Sequence, residues 1–221
     1  PIARCSHSRS SIEATRQGIP SITQLPKKIS ANDSPTIALI TNIDVEHLDF
    51  YGDLESIHAA FIAFARQVPF HGAVIACLDD ANVRAVLPAI DRRIVSYGFG
   101  SEADVRGEIR AESAEGSTFN LFVEGAEAGE LFLRLPGRHN ALNAIGVCAL
   151  AAELDIPFEA LKRALARFEG VGRRFERRGE AGGVLVVDDY GHHPTEMAAA
   201  IETARRNFDR RLVVVFQPHR Y

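Results

Sequence analysis

Within VVDDYGHHPTE, residues 186–196, two carboxylates, a phenol and two imidazoles crowd together at the end of an apolar run. Groups of these kinds hold metals, orient a ribose or move protons. Asp188 or Asp189 could do any of these, and one of the pair can equally serve as a strand-end turn or helix cap. His192 and His193 are neighbours, so in extended backbone they point to opposite sides, and at most one faces a ligand. Pro194, Thr195 and Glu196 read as a helix start.

Four other stretches carry comparable chemistry. TNIDVEHLDFYG (41–52) sets His47 among Asp44, Glu46 and Asp49. Such an oxygen-rich loop suits Mg²⁺, and a solvated acidic loop is the plain alternative. In LPGRHNALNA (135–144), Asn140 and Asn143 lie one helical turn apart with His139 just before them. Two amides on one face can read the edge of a base, or Asn140 can cap the helix as its N-cap. GVGRRFERR (170–178) holds Arg173 and Arg174 on a glycine-supported bend. There a guanidinium can fork two phosphate oxygens, unless the segment is simply a charged linker. FQPHRY (216–221) adds His219 and Arg220. The pattern G-x-x-x-x-G-K-[ST] does not occur, and the only lysines are Lys27, Lys28 and Lys162, so the sequence holds no P-loop.

The elements between these clusters explain their placement. TIALITNI (36–43), GAVIACL (72–78) and RIVSYGF (93–99) are apolar runs of strand length. LESIHAAFIAFARQV (54–68) and DDANVRAVLPAI carry helical patterns between them, so the alternation implies a parallel sheet with helices on its faces. From about 104 to 135 the text switches to apolar–polar alternation between glycines, the pattern of antiparallel hairpins. Helices follow over 140–154 and 157–168, then a glycine-rich basic linker at 171–182. GVLVVDD opens a new strand-to-loop unit, TEMAAAIETARRNF is its helix, and RRLVVVFQPHRY reads as a further strand. Residues 1–34 are weakly patterned, with a short helix expected in EATRQGIPSI. In an open α/β sheet, ligands sit beyond the carboxyl ends of the strands, where three of the polar clusters fall.

Bulk composition excludes several classes. With 46% hydrophobic and 24% charged residues, the 221-residue chain has the make-up of a soluble globular protein. A net charge of −4 argues against a nucleic-acid polymer as partner. No apolar run approaches the roughly 20 residues that span a bilayer, and PIARCSHSRSS lacks the apolar core of a signal peptide. Cys5, Cys77 and Cys148 are scattered with no CxxC pair, which points to a reducing compartment without disulfide or zinc site. A soluble, cytoplasmic protein is the expectation, with no membrane partner.

Taken together, TNIDVEHLDFYG, LPGRHNALNA, FEGVGRRFE, VVDDYGHHPTE and FQPHRY resemble the Mur ligases, in the family's order and across about residues 35–221. The match leans to the branch that joins L-alanine to UDP-N-acetylmuramate, because Tyr190, Gly191 and GVGRRFE fit it better than the murein-tripeptide recycling branch. The resemblance implies an α/β fold: a central domain with a parallel sheet, helices and a small antiparallel sheet, then the start of a Rossmann-like domain. It divides the chain into a 1–34 arm or remnant of a UDP-binding domain, a 35–170 ATP-binding domain, a 171–182 linker and a 183–221 amino-acid-binding portion. The implied chemistry is ATP-dependent: a substrate carboxylate takes the γ-phosphate, and an amine then displaces it from the acyl phosphate. His47 would contribute to a Mg²⁺ site. His139, Asn140 and Asn143 would face adenine, Arg173 or Arg174 would reach phosphate, and Asp188 or Asp189 would anchor the nucleotide. Tyr190, His192, His193, His219 and Arg220 would line the substrate and amino-acid side. The implied catalytic group is thus His47, Arg173, Arg174, Asp189, His192 and His193, and a homodimer stays open. The family's P-loop and the acidic segment after it should precede TIALITNI and are not found, so the chain reads as weakly active or inactive alone. A non-catalytic nucleotide-binding remnant, or a metal-dependent phosphohydrolase built on the Asp–His cluster, would be the competing readings.

Overall fold

The computed structural model describes residues 35–45 and 48–217. The expected helix in EATRQGIPSI and the site candidates His47, His219 and Arg220 lie outside the described residues.

Six strands form one mixed sheet in sequential order: β1 (Ile37–Ile40), β2 (Ala73–Cys77), β3 (Ile94–Gly98), β4 (Val105–Ser113), β5 (Gly116–Val123) and β6 (Ala126–Leu133). β1 to β4 run parallel, and β4–β5–β6 is an antiparallel meander. The antiparallel hairpins are therefore an extension of the parallel sheet. The join is narrow, because β4 pairs with β3 only through Tyr97–Val105 and Gly98–Arg106 before turning away. Helices α1 (Leu48–Tyr51), α2 (Leu54–Ala65), α3 (Ala81–Val86), α4 (Arg138–Glu153) and α5 (Phe158–Arg167) complete this part.

β2 shows why the sequence folds this way. Every residue from Ala73 to Cys77 is buried. Ile75 and Cys77 pack with α4 and α5 on one face, while Val74 and Ala76 pack with α2 and α3 on the other. A strand covered on both faces reads as a continuous apolar run rather than an alternating one. α2 buries Ile57, Phe61 and Ala65, four residues apart along one stripe. It starts where the Asp53 carboxylate accepts the Ser56 N–H at 2.7 Å. Among the described residues no helix is long and apolar enough to cross a membrane.

The second part departs from the sequence reading. The stretch expected as linker contains β7 (Glu176–Ala181), which pairs antiparallel with β8 (Val184–Asp188) as a two-stranded hairpin. With β7 as its only partner among the described residues, β8 leaves Val184 and Val186 exposed. α6 (Pro194–Asn207) follows as expected. Residues 211–217, expected as a further strand, carry no strand assignment, and Val215 is 95% exposed. A β-prone run becomes a strand only when a neighbouring backbone pairs with it.

Contacts from both the helix and the hairpin reach the large sheet. Thr203 of α6, 3% exposed, packs on Gly137, and the Arg177 guanidinium donates to the Ala114 carbonyl at the β4–β5 turn. Phe175 is buried beside Phe208, with ring centroids 6.1 Å apart.

Candidate functional site

The carboxyl ends of the parallel strands position the first two segments. After β1, the loop at 41–45 is pinned from below. Ile43 is 1% exposed, its N–H approaches the Asp80 carboxylate at 3.4 Å, and its carbonyl accepts from the Asn82 amide at 2.8 Å. Asp80 also caps α3 through the Val83 N–H at 2.7 Å, so the loop and α3 share one anchor. Asp44 is held directly beyond it. At the start of α4, Arg138 stacks over Phe99, just past β3, with its guanidinium carbon 3.8 Å from the ring centroid. This brings His139, Asn140 and Asn143 to the same edge of the sheet.

The N-cap of α4 is Gly137, at φ +103°, in place of the N-cap role that sequence offered Asn140. Asn140 instead donates its side-chain N–H to the Pro136 carbonyl at 2.7 Å, closing the turn before the helix. Asn143 is exposed one turn on. Burial holds His139 below the ordinary imidazole range, although the Asp189 and Glu202 carboxylates pull in the other direction. A neutral ring is the result.

The other two segments are laced together. In GVGRRFE, Arg173 and Phe175 both adopt left-handed backbone, at φ +60° and +50°. Such conformations cost of order 1–3 kcal/mol at non-glycine residues and persist only when the surroundings enforce them. Here the enforcement is visible. The Tyr190 N–H donates to the Arg173 carbonyl at 2.6 Å, and the Phe175 N–H donates to Asp189 Oδ2 at 2.8 Å. Asp189 Oδ1 takes the Gly191 N–H at 2.7 Å. Asp189 is thus a backbone clamp between the arginine turn and the DDYGHH loop, while Asp188 lies 3.7 Å from the Arg173 guanidinium. Tyr190 lies beneath both guanidinium groups, at 4.8 Å from Arg173 and 5.5 Å from Arg174.

His192 and His193 face different partners, as their adjacency requires. His192 is exposed, with Nδ1 3.2 Å from the Tyr190 carbonyl and its ring edge-on to Tyr190. His193 Nδ1 sits 3.3 Å from Asp44 Oδ2. Glu196 accepts the N–H groups of His192 and His193 at 3.1 and 3.4 Å, and pairs with Arg174 at 3.0 Å. Burial raises the Glu196 carboxyl, but those hydrogen bonds and Arg174 outweigh it and hold it below its usual range.

Loop 41–45, the start of α4, the arginine turn and the DDYGHH loop therefore converge. Sequence reasoning singled out the residue types. It missed Asp44 as the partner of His193, Glu196 as the partner of Arg174, and Phe175 as the strained pivot. Glu196 gave a signal in its position three residues into a helix, but that signal reads only as a helix start. Among the described residues no three His, Cys, Asp or Glu side chains converge as a metal site.

Comparison with known proteins matches two family models: "Mur ligase middle domain" over residues 12–151 and "Mur ligase, glutamate ligase domain" over residues 173–220. A UDP-N-acetylmuramate–L-alanine ligase from Geobacter sp. (strain M21) is 50% identical over 189 residues, covering 85% of this chain and 41% of the relative. The enzyme of the same name from Myxococcus xanthus (strain DK1622) is 51% identical, covering 85% of this chain and 40% of the relative. The chain thus spans about two fifths of the length of these curated relatives. Among solved structures, the UDP-N-acetylmuramate–alanine ligase MurC from Thermotoga maritima superposes with a TM-score of 0.68 at 30% identity, covering 81% of this chain and 40% of that one. MurF from Acinetobacter baumannii gives 0.71 at 26% identity, covering 80% and 39%.

Proposed function

The chain belongs to the Mur ligase family, and on that premise we propose that it carries the nucleotide-facing part of a UDP-N-acetylmuramate–L-alanine ligase. In this reading the carboxylate of UDP-N-acetylmuramate attacks the γ-phosphate of ATP. The L-alanine amine then attacks the acyl phosphate, giving the amide and inorganic phosphate.

The observation that carries the reading is the convergence of two guanidinium groups and a neutral imidazole at the carboxyl edge of the parallel sheet. Two anionic reactants must meet in this reaction, so fixed positive charge is needed where they do. Arg173 and Arg174 supply it from a turn whose backbone is clamped by Asp189. His139 adds no charge of its own, since burial favours its neutral form. In the proposal His139, Asn140 and Asn143 face the adenine side, Arg173 and Arg174 the phosphates, and Asp188 the ribose. Tyr190, His192 and His193 face the carboxylate and amine, and His219 and Arg220 are assigned to the same substrate side. Mg²⁺ would supply neutralising charge for the phosphates in such a reaction, and this chain's candidate ligand for it is His47. The described residues furnish no cluster of metal ligands. The division into domains at 35–170, 171–182 and 183–221 belongs to the same proposal, with β7 lying inside the middle segment. So do the cytoplasmic setting and a homodimer.

ATP binding tests the reading at its core. The 221-residue chain should bind ATP, and an Arg173→Ala/Arg174→Ala double variant should bind about tenfold more weakly, as for loss of about 1.4 kcal/mol of phosphate contact. Equal binding by both proteins, or no binding by either, overturns the assignment. Phosphate release from ATP with UDP-N-acetylmuramate identifies the reaction, because it must depend on L-alanine; release without the amine refutes it.

A further inference from the structure

We propose that Asp44 is a positioning residue for His193: it reaches from the loop after β1 to the N-terminus of α6 and holds the imidazole in one orientation. The functional consequence rests on the ligase reading, whereas the contact itself rests on geometry alone.

Asp44 Oδ2 lies 3.3 Å from His193 Nδ1, and both side chains are half-buried, at 27% and 21% exposure. The same carboxylate accepts a hydrogen bond from the Thr195 side chain and, through Oδ1, the Val45 N–H at 2.8 Å. Asp44 therefore contacts the N-cap residue of α6 and its second helical residue while belonging to a different element of the chain. Helix N-termini attract negative charge. Just before α6 the backbone N–H groups of His192 and His193 are already taken by Glu196. This leaves the Asp44 carboxylate to the imidazole and the Thr195 hydroxyl.

Asp44 is also a firm base for such a contact. Ile43, directly before it, is buried and fixed by Asp80 and Asn82. A short carboxylate on a pinned loop can hold a ring where a long, mobile side chain cannot. A carboxylate 3.3 Å from Nδ1 favours a proton on that nitrogen, so in the proposal one contact sets both the ring orientation and the tautomer. In the ligase reading His193 faces the carboxylate and amine, where a defined lone pair decides which proton the ring can take. Asp44 thus couples the position of α6 over the sheet to the state of a residue on the substrate side.

The test needs no turnover. Imidazole ¹⁵N spectra of the full chain, assigned by the signal lost in His193→Gln, should show the Nδ1–H tautomer of His193. Asp44→Ala should shift it to the Nε2–H form. Asp44→Asn, whose side-chain carbonyl can still accept Nδ1–H, should restore it. Hydrogen exchange of the Thr195, Glu196 and Met197 amides should quicken about fivefold to tenfold in Asp44→Ala. The same acceleration in His193→Gln should not grow in the double variant, as expected for a shared contact. An unchanged tautomer in Asp44→Ala, or additive effects in the double variant, overturns the proposal. Loss of ATP binding with an intact tautomer response counts against the ligase reading alone, and the reverse pattern counts against the Asp44 contact alone.

Discussion

Gly137→Ala is the sharpest perturbation of the seat between α6 and the sheet. Gly137 sits at φ +103° and ψ 133°, a region that residues with a Cβ rarely enter, so backbone strain alone costs about 1–3 kcal/mol. A Cβ there would also lie 2.5 Å from Thr203 Oγ1, 3.1 Å from Thr203 Cγ2 and 3.0 Å from His139 Cε1. Thr203 is buried, and its hydroxyl is held on the Ala199 carbonyl at 2.8 Å, so it has little room to turn aside. Overpacking of this kind adds roughly 1–3 kcal/mol. The sum, about 2–6 kcal/mol, is a large part of the stability of a typical domain. Thr203→Ala removes both Thr203 atoms from the collision but leaves the backbone strain. Urea unfolding of Gly137→Ala should therefore show the full loss, and the Gly137→Ala/Thr203→Ala double variant should recover about 1–3 kcal/mol of it. Hydrogen exchange should place the loosening in α6 rather than in β2. The reasoning fails if Gly137→Ala is as stable as the parent, or if the second substitution recovers nothing.

Two further outcomes follow from the clamp and the carboxylates. Asp189→Ala leaves the buried Phe175 N–H without its acceptor and should cost about 1–3 kcal/mol in urea unfolding, whereas Asp188→Ala should cost under about 1 kcal/mol. The Asp188–Arg173 pair is 38% and 61% exposed and therefore weak, so equal losses from the two substitutions would sink the distinction. Acid should destabilise in two stages. Folding lowers the His139 pKa, so the unfolded chain binds the proton first and stability falls as pH drops through about 6.5. For Asp44, burial raises the carboxyl, but Thr195, Val45 and His193 lower it further; Glu196 is also lowered. Their stabilisation is present above about pH 4–5 and is lost below it. Urea midpoints from pH 3 to 8 check this, with His139→Gln expected to erase the upper stage; stability that rises on going from pH 7 to 5.5 contradicts it.

How much of this could be read from sequence depended on whether the signal was local. β2 announced itself because burial on both faces leaves only apolar residues, and the β4–β6 meander did so through alternation between glycines. β7 did not. ERRGEA has almost no apolar residue and is nearly all exposed, so its strand conformation comes from the ladder with β8 and from no pattern of its own. Residues 211–217 fail in the opposite direction, since LVVVF has every strand preference and no partner among the described residues. At the site the same divide holds. The acids, imidazoles and guanidinium groups stood out by type. Which acid meets which base is decided by long-range folding that brings residue 44 beside residue 193. The left-handed turns at Arg173 and Phe175 carried no warning either, because neither residue is glycine or asparagine.

Those pairings bear on how the arginines would work. Arg174 is paired with Glu196, and Arg173 lies 3.7 Å from Asp188, so any polyphosphate arriving at this edge must exchange partners with a carboxylate. Were these pairs buried, the exchange would strand a charge and cost several kcal/mol. They are half-exposed, and ion pairs of that kind hold by about 0–1 kcal/mol, so the guanidinium groups remain available to a stronger anion. What is fixed is the backbone beneath them, through Asp189 and the Tyr190 N–H, together with the Tyr190 ring on which both guanidinium groups lie. The design separates two tasks: hydrogen bonds to the backbone set where the cations are, and weak surface pairs keep them screened until a ligand takes over the charge.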